Sequence, residues 1–195
     1  MLTVIIPTHN SERALVPTLA MLVPGALTGT VREVIVADDG STDATSEVVD
    51  IAGCAIVVST APLAARLKSA AASARGTWLL FLRPGVVLDA AWLEEVTRLI
   101  ETAVMRGIVD THAAVFRRAP PDAAEPLARQ LVGVIAAALR GPDPDQGLLI
   151  SRQAYDRLGG HRVEAADPER DLLHWLGRRR LVTLRTAALG WRNEN

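Results

Sequence analysis

Cysteine is almost absent from this chain of 195 residues, with Cys54 standing alone. A single thiol excludes an intrachain disulfide and any thiolate-bound metal cluster. Its place in the apolar run 54–58 reads as a buried, inert side chain. Lysine is equally scarce: Lys68 is the only one beside many arginines, and the formal net charge is −1. The basic excess of a dedicated nucleic-acid binder is therefore missing, and no nucleic-acid partner is expected. Long apolar stretches are missing too. The opening Met1-Leu2-Thr3-Val4-Ile5-Ile6-Pro7 has neither the basic region nor the length of a signal peptide, and the longest late run, 131–139, is too short to span a bilayer. A cytoplasmic protein with at most peripheral membrane contact is expected. What the chain does have is hydrophobic residues, 49% of the total, enough to build a real core in one domain and to exclude global disorder.

The first half alternates short β-rich runs with helix-like stretches, the pattern of an α/β fold: a mostly parallel, Rossmann-like sheet flanked by helices. Strands are expected at 2–6, 31–37, 55–58 and 77–82. Pro17 suits a first helical turn and Pro24-Gly25 a helix end, so the first helix is expected at 16–22. Ser41 or Thr42 is expected to cap the second helix, an alanine-rich helix to cover 62–75, and Asp89 to cap a helix over 90–104. The second half is less regular. It reads as strands at 108–117, 147–150 and 181–184, with helices at 123–140, 152–158 and 168–176.

Ligands of open α/β sheets gather at the carboxyl ends of the strands. Three such ends are polar here: Pro7-Thr8-His9-Asn10, Asp38-Asp39-Gly40-Ser41 and Arg83-Pro84-Gly85. Vicinal carboxylates repel, so Asp38 and Asp39 need hydrogen-bonding partners. A nucleobase or a ribose diol would supply them for Asp39, and turn or capping duty is the alternative for Asp38 and Asp43.

Val4-Ile5-Ile6-Pro7-Thr8-His9-Asn10, Glu33-Val34-Ile35-Val36-Ala37-Asp38-Asp39-Gly40-Ser41-Thr42-Asp43 and Ala74-Arg75-Gly76-Thr77-Trp78-Leu79-Leu80-Phe81-Leu82 resemble, in order and spacing, the nucleotide-binding half of family-2 glycosyltransferases. Asp145-Gln146-Gly147-Leu148-Leu149-Ile150-Ser151-Arg152 and Tyr155-Asp156-Arg157-Leu158-Gly159-Gly160 resemble the acceptor half of a compact bacterial subgroup. The resemblance implies a single GT-A-like domain over 1–195, with a nucleotide-binding half at 1–88 and an acceptor half at 105–190. It implies transfer of a sugar from a nucleotide-diphosphate sugar to an acceptor hydroxyl, with inversion. Pro7, Thr8, Asn10, Asp38 and Asp39 would hold the nucleoside, Asp145 and Gln146 the acceptor, and a divalent cation, Mg²⁺ or Mn²⁺, would sit on acidic residues after the fourth strand.

Three departures qualify that picture. After Phe81-Leu82 the chain has Arg83-Pro84-Gly85 in place of the Asp-x-Asp motif, and arginine is no ligand for Mg²⁺ or Mn²⁺. No metal ligand is assigned. Either Arg83 pairs directly with the diphosphate or the site is idle. Arg66 and Lys68 stand where the family tends to carry neutral polar residues; at i and i+2 they do not share a face, so one reaches a phosphate or both are solvated. Alignment on Asp171-Leu172 puts Glu169 at the catalytic base, the alternative being a charge at a helix N-terminus with Asp167 as cap. His9 lies at a strand end, while His112, His161 and His174 lack zinc-ligand spacing. Arg178-Arg179-Arg180 reads as a solvated helix end. Two functions remain open: an active, metal-independent glycosyltransferase, or an inactive GT-A-like module that binds or scaffolds a partner. The acceptor and the oligomeric state are not specified by the residues.

Overall fold

The computed structural model of the chain describes residues 1–109, 113–119 and 141–190. The apolar opening forms β1 (Leu2–Thr8), and the other strands are β2 (Val31–Asp38), β3 (Ala55–Val58), β4 (Trp78–Phe81), β5 (Val86–Leu88), β6 (Ala113–Arg118), β7 (Leu148–Ser151) and β8 (Leu181–Gly190). They make one sheet in the order β3-β2-β1-β4-β7-β6-β8-β5. β1 to β4 pair in parallel, as do β6 and β8, whereas β7 runs antiparallel to both β4 and β6, and β5 antiparallel to β8.

Period-2 alternation buries both faces of the central strands. Leu2, Val4, Ile6, Leu80 and Leu82 face one core, shared with Leu15, Leu19 and Leu22 of α1 (Glu12–Leu27) and Trp92 and Val96 of α4 (Trp92–Met105). Ile5, Leu79 and Phe81 face the other, packed by Leu67 and Ala70 of α3 (Leu63–Ser73), Tyr155 of α5 (Arg152–Arg157) and Leu172 and Leu173 of α6 (Pro168–Arg180). α2 (Thr45–Ile51) covers the β2–β3 crossover. No helix among the described residues is long and apolar enough to cross a membrane.

The structure departs from the sequence reading in instructive places. α1 runs straight through Pro17 and Pro24. Leu15, Thr18, Leu19, Leu22 and Gly25 form a buried stripe, and the carbonyl that Pro24 leaves without its helical partner belongs to Ala20, which is exposed to solvent. The helix ends at Gly29, whose φ of +73° is the left-handed turn that stops it. β5 was not foreseen, and β8 extends well past Leu184, because each pairs with the other from distant parts of the chain. α6 includes Gly177 at φ 63°, an interruption before its last turn. Cys54 is half-buried rather than buried, and β3 is an edge strand with Ala55, Ile56 and Val58 exposed; burial still pushes the Cys54 thiol up, away from reactivity. The expected helix at 123–140, His112 and the side chains of Arg178 and Arg179 lie outside the described residues.

Candidate functional site

Parallel register sets the last residues of β1 and β2, Thr8 and Asp38, side by side. Thr8 Oγ1 donates to Asp38 Oδ1 at 2.7 Å, Ser41 N donates to Asp38 Oδ2 at 2.7 Å, and the Ser41 hydroxyl also donates to Oδ1. Burial raises the cost of ionising Asp38, yet these bonds outweigh it and hold the carboxyl below the usual aspartate range. In this structure the polar groups of Thr8 and Asp38, both expected at the nucleoside, are buried and bonded to each other and to Ser41.

The two loops that follow are joined residue by residue. Asn10, at a φ of 47° that asparagine tolerates, donates its N–H to Ser41 Oγ at 2.9 Å and accepts from Thr42 N at 2.8 Å. Ser11 N donates to Thr45 Oγ1 at 2.9 Å. Asp43 accepts from Glu12 N at 3.1 Å and Thr45 N at 3.0 Å, while Glu12 Oε2 accepts from Ala44 N at 3.0 Å. Asp43 thus serves the first turns of both α1 and α2, the capping duty expected of Ser41 or Thr42. Pro7 is half-buried within β1, and His9 Nδ1 lies 3.3 Å from the Asp39 carbonyl.

Asp39 behaves unlike its neighbour. Its side chain is 37% exposed and meets Arg66 Nη2 of α3 at 3.3 Å. Arg66 is 7% exposed, and its Nε and Nη1 have no hydrogen-bond partner among the described residues. Buried, idle guanidinium donors cost stability that an acceptor-bearing ligand would recover. Lys68 points to solvent, as two cations on different helix faces should.

Past β4, the turn Arg83-Pro84-Gly85 is fastened to α1: Gly85 N donates to Ala14 O and to Thr18 Oγ1, both at 2.9 Å. Because Phe81 pairs with Leu148, the residues just after β4 and just before β7 leave the sheet at the same edge. Arg83 there meets Asp145, in the short 3₁₀ turn Pro144–Gln146, and Glu169, the second residue of α6. Arg83 Nη1 donates to Asp145 Oδ1 at 3.1 Å; Nε and Nη2 donate to Glu169 Oε2 at 2.9 and 2.7 Å. Asp167 caps α6 by accepting from Arg170 N at 3.0 Å, so Glu169 is free to turn inward. Burial lifts the Glu169 pKa above the usual value, and the adjacent Arg83 only partly offsets it. Desolvation works against the Arg83 charge, and Glu169 and Asp145 more than restore it.

Gln146 does not join this group. Its amide donates to Phe116 O at 2.7 Å and accepts from Asp143 N at 2.9 Å and Arg118 Nε at 3.2 Å, which makes it an internal brace in this structure. Among the described residues, no three of His, Cys, Asp and Glu gather into a set able to hold a metal ion.

A sequence model of glycosyl transferase family 2 matches residues 3–130, more than half of the chain. The chain belongs to glycosyl transferase family 2. Among curated proteins none matches the sequence. Among solved structures, the family-2 chain is similar to a mannosyltransferase from Pyrobaculum calidifontis in complex with GDP-Man and Mn²⁺, with 17% identity and a TM-score of 0.73 over 100% of this chain and 58% of that one. It is also similar to S. aureus TarS, residues 1–349, with 17% identity and a TM-score of 0.69 over 96% of this chain and 60% of that one. The glucosyl-3-phosphoglycerate synthase of Mycobacterium tuberculosis, in complex with Mn²⁺, UDP and phosphoglyceric acid, shows 18% identity and a TM-score of 0.71 over 100% of this chain and 72% of that one. These likenesses establish a shared GT-A fold, and this family-2 chain spans 58% and 60% of the first two structures' length.

Of the family-2 residues expected from sequence, Arg83, Asp145 and Glu169 come together, Asp39 pairs with Arg66, and Thr8, Asn10 and Asp38 lock the loops. One buried group escaped the sequence reading. His161 is 1% exposed, with its Nδ1 2.9 Å from the Tyr155 hydroxyl and its ring edge-on to Phe81. Burial first, then the charge of Lys68, push its pKa down to about 4. The only signal in the sequence was its place directly after Gly159-Gly160.

Proposed function

We propose that this family-2 chain transfers a sugar from a nucleotide-diphosphate sugar to an acceptor hydroxyl, with inversion, and that Arg83 stabilises the leaving diphosphate in place of a divalent cation. The observation that carries the reading is the meeting of Arg83, Asp145 and Glu169 at the edge of the sheet where α/β proteins bind ligands. A guanidinium has five N–H donors. Three are engaged with the two carboxylates, leaving one on each terminal nitrogen for phosphate oxygens. Both bonds to Glu169 fall on Oε2, so Oε1 is the oxygen positioned to take a proton.

In the proposed reaction the acceptor hydroxyl loses its proton to Glu169 as its oxygen bonds the anomeric carbon. The sugar–phosphate bond breaks in the same displacement, and its electron pair leaves on the diphosphate, held by Arg83. One displacement inverts the anomeric carbon. The raised pKa of Glu169 makes it a stronger base than an exposed glutamate. Asp39 and Arg66 are assigned to the nucleoside, Asp145 to the acceptor, residues 1–88 to the donor half and 105–190 to the acceptor half. The donor set does not fit Mg²⁺ or Mn²⁺, which take oxygen ligands, because a cation already stands between Asp145 and Glu169. The mannosyltransferase and the synthase named above were solved with Mn²⁺ and with guanosine or uridine nucleotides, which makes GDP and UDP the probes to try.

Calorimetric titration with UDP and GDP, with and without Mn²⁺, tests the reading. Binding that ignores metal and is lost in Arg83→Ala supports it. Binding that requires Mn²⁺ overturns the metal-free site and points to Asp39 or Asp89 as ligands. No binding under any condition leaves the second reading, an inactive module whose Arg83 is permanently occupied by its two carboxylates.

A further inference from the structure

On the face of the sheet opposite α6, the second half of α4 and the first half of β8 enclose a groove of about 580 Å³. Leu99, Ala103 and Leu184 form its floor, and Arg98, Arg106 and Arg185 stand around it. Arg98, Thr102 and Arg106 are spaced i, i+4, i+8, which aligns both α4 arginines on the face that meets β8. All three arginines are exposed, and among the described residues none closes an ion pair or a side-chain hydrogen bond. The one acid lining the groove, Glu95, is buried: its Oε1 accepts from Arg185 N and its Oε2 from Thr186 N and Oγ1, and the charge of Arg98 also acts on it. Glu94 and Glu101, one turn to either side on α4, do not line it. A chain of net charge −1 thus gathers three exposed arginines around one groove whose lining holds a single, buried acid. Beside them, at the end of α4, Met105 is 79% exposed, with Val182 of β8 also open to solvent.

We propose that this groove docks an anionic phospholipid of a membrane surface, with the phosphate on Arg98, Arg106 and Arg185 and the acyl chains against Leu99, Ala103, Leu184, Val182 and neighbouring Met105. Charge complementarity selects an anion. The exposed apolar side chains select a lipid over an acidic peptide, which would have no use for them. Neither signal alone anchors a protein firmly, and the groove supplies both. The proposal does not rest on the transferase reading.

Co-sedimentation of the full chain with vesicles of phosphatidylcholine, alone or mixed with phosphatidylglycerol, decides it. The expected result is binding to the anionic vesicles only, released by high salt. Each arginine near an anionic surface contributes about fivefold in partition, so R98Q/R106Q/R185Q should bind roughly a hundredfold more weakly. Met105→Ser should weaken binding without changing its salt dependence. Unchanged thermal midpoints in both variants would show that the fold is intact, as expected for exposed side chains. Absence of vesicle binding, or equal binding by wild type and the triple variant, overturns the proposal. So does a thermal shift with inorganic phosphate or polyglutamate that needs the three arginines while vesicles remain unbound, since the occupant is then a soluble anion or an acidic chain.

Discussion

Arg83 and Glu169, 86 residues apart in the chain, are joined by two hydrogen bonds that both end on Glu169 Oε2, at 2.9 and 2.7 Å. The pair is lopsided in two respects. One carboxylate oxygen is saturated while the other has no partner from Arg83, and Glu169 is 9% exposed against 34% for the arginine. Burial therefore acts on the acid more than on the base, and it decides the direction of the pKa shift.

That direction is measurable in a pH profile. Glu169 must be ionised to accept a proton, so the acid limb of kcat/KM, for transfer or for donor hydrolysis, should lie above pH 4.5, the ordinary glutamate value. Arg83→Gln removes the charge that pulls the pKa down and should move the limb higher. Glu169→Gln should lower kcat by about 10²–10⁴ while nucleotide affinity is retained. A wild-type limb at or below the ordinary value would remove Glu169 as the base.

His161 makes stability depend on acid. Its folded pKa of about 4 lies under the 6.5 of an unperturbed imidazole, so on acidification the unfolded chain takes up a proton that the folded chain refuses. The contribution is fully present above pH 6.5 and is lost as the pH falls toward 4, amounting to about 3 kcal/mol. Urea unfolding of His161→Phe across that window should show a flatter curve than wild type. Parallel curves would mean that another group carries the acid lability.

Gly76 and Gly29 are both required, for different reasons. A Cβ on Gly76 would lie 2.6 Å from Thr3 N, so Gly76→Ala must push β1 aside, at a cost of about 1–3 kcal/mol. Gly29 has nothing within 4 Å and a φ of +73°, so Gly29→Ala pays only for backbone conformation, about 1 kcal/mol. Asparagine tolerates the left-handed region, so Gly29→Asn should recover most of that loss and Gly76→Asn none. Equal behaviour at the two positions would contradict the distinction.

Glu95 ties β8 to α4 through three bonds of 2.8, 2.8 and 2.6 Å. Burial opposes its ionisation, and the bonds to Arg185 and Thr186 outweigh it, leaving the pKa lowered. Its contribution is present at neutral pH and disappears as the pH falls through the folded pKa, below 4.5. Glu95→Ala should cost about 2–3 kcal/mol at neutral pH by chemical denaturation, and Glu95→Gln less, because one oxygen acceptor remains. A neutral effect of Glu95→Ala would show that water replaces the carboxylate.

Much of the fold was legible because it is local. Continuous apolar runs announced β1, β2 and β4, whereas the cap expected of Asp89 is corrected: α4 starts at Trp92 behind Ala91, and Asp89 accepts from Ala91 N in the turn before it. What was not legible depends on distant partners. β5 is three residues long and exists only through the far end of β8, where Val86 pairs with Gly190 and Leu88 with Ala188, and α1 keeps two prolines because its buried stripe outweighs them. The site divides the same way. The departure at Arg83 was visible in the sequence, but its two carboxylate partners were not. Thr8, Asp38 and Gln146 stood out as polar residues at strand ends, but the tertiary hydrogen bonds by which they brace the loops could not be read from their positions.

The stitching of the first two loops by Asn10, Glu12, Ser41 and Asp43 sets when disorder is given up. Loops that close over a ligand lose conformational freedom on binding, and affinity falls by that amount. Here the loss is charged to folding instead. A molecule docking at the ends of β1 and β2 meets a surface already in its final shape, and its association carries little ordering penalty beyond its own.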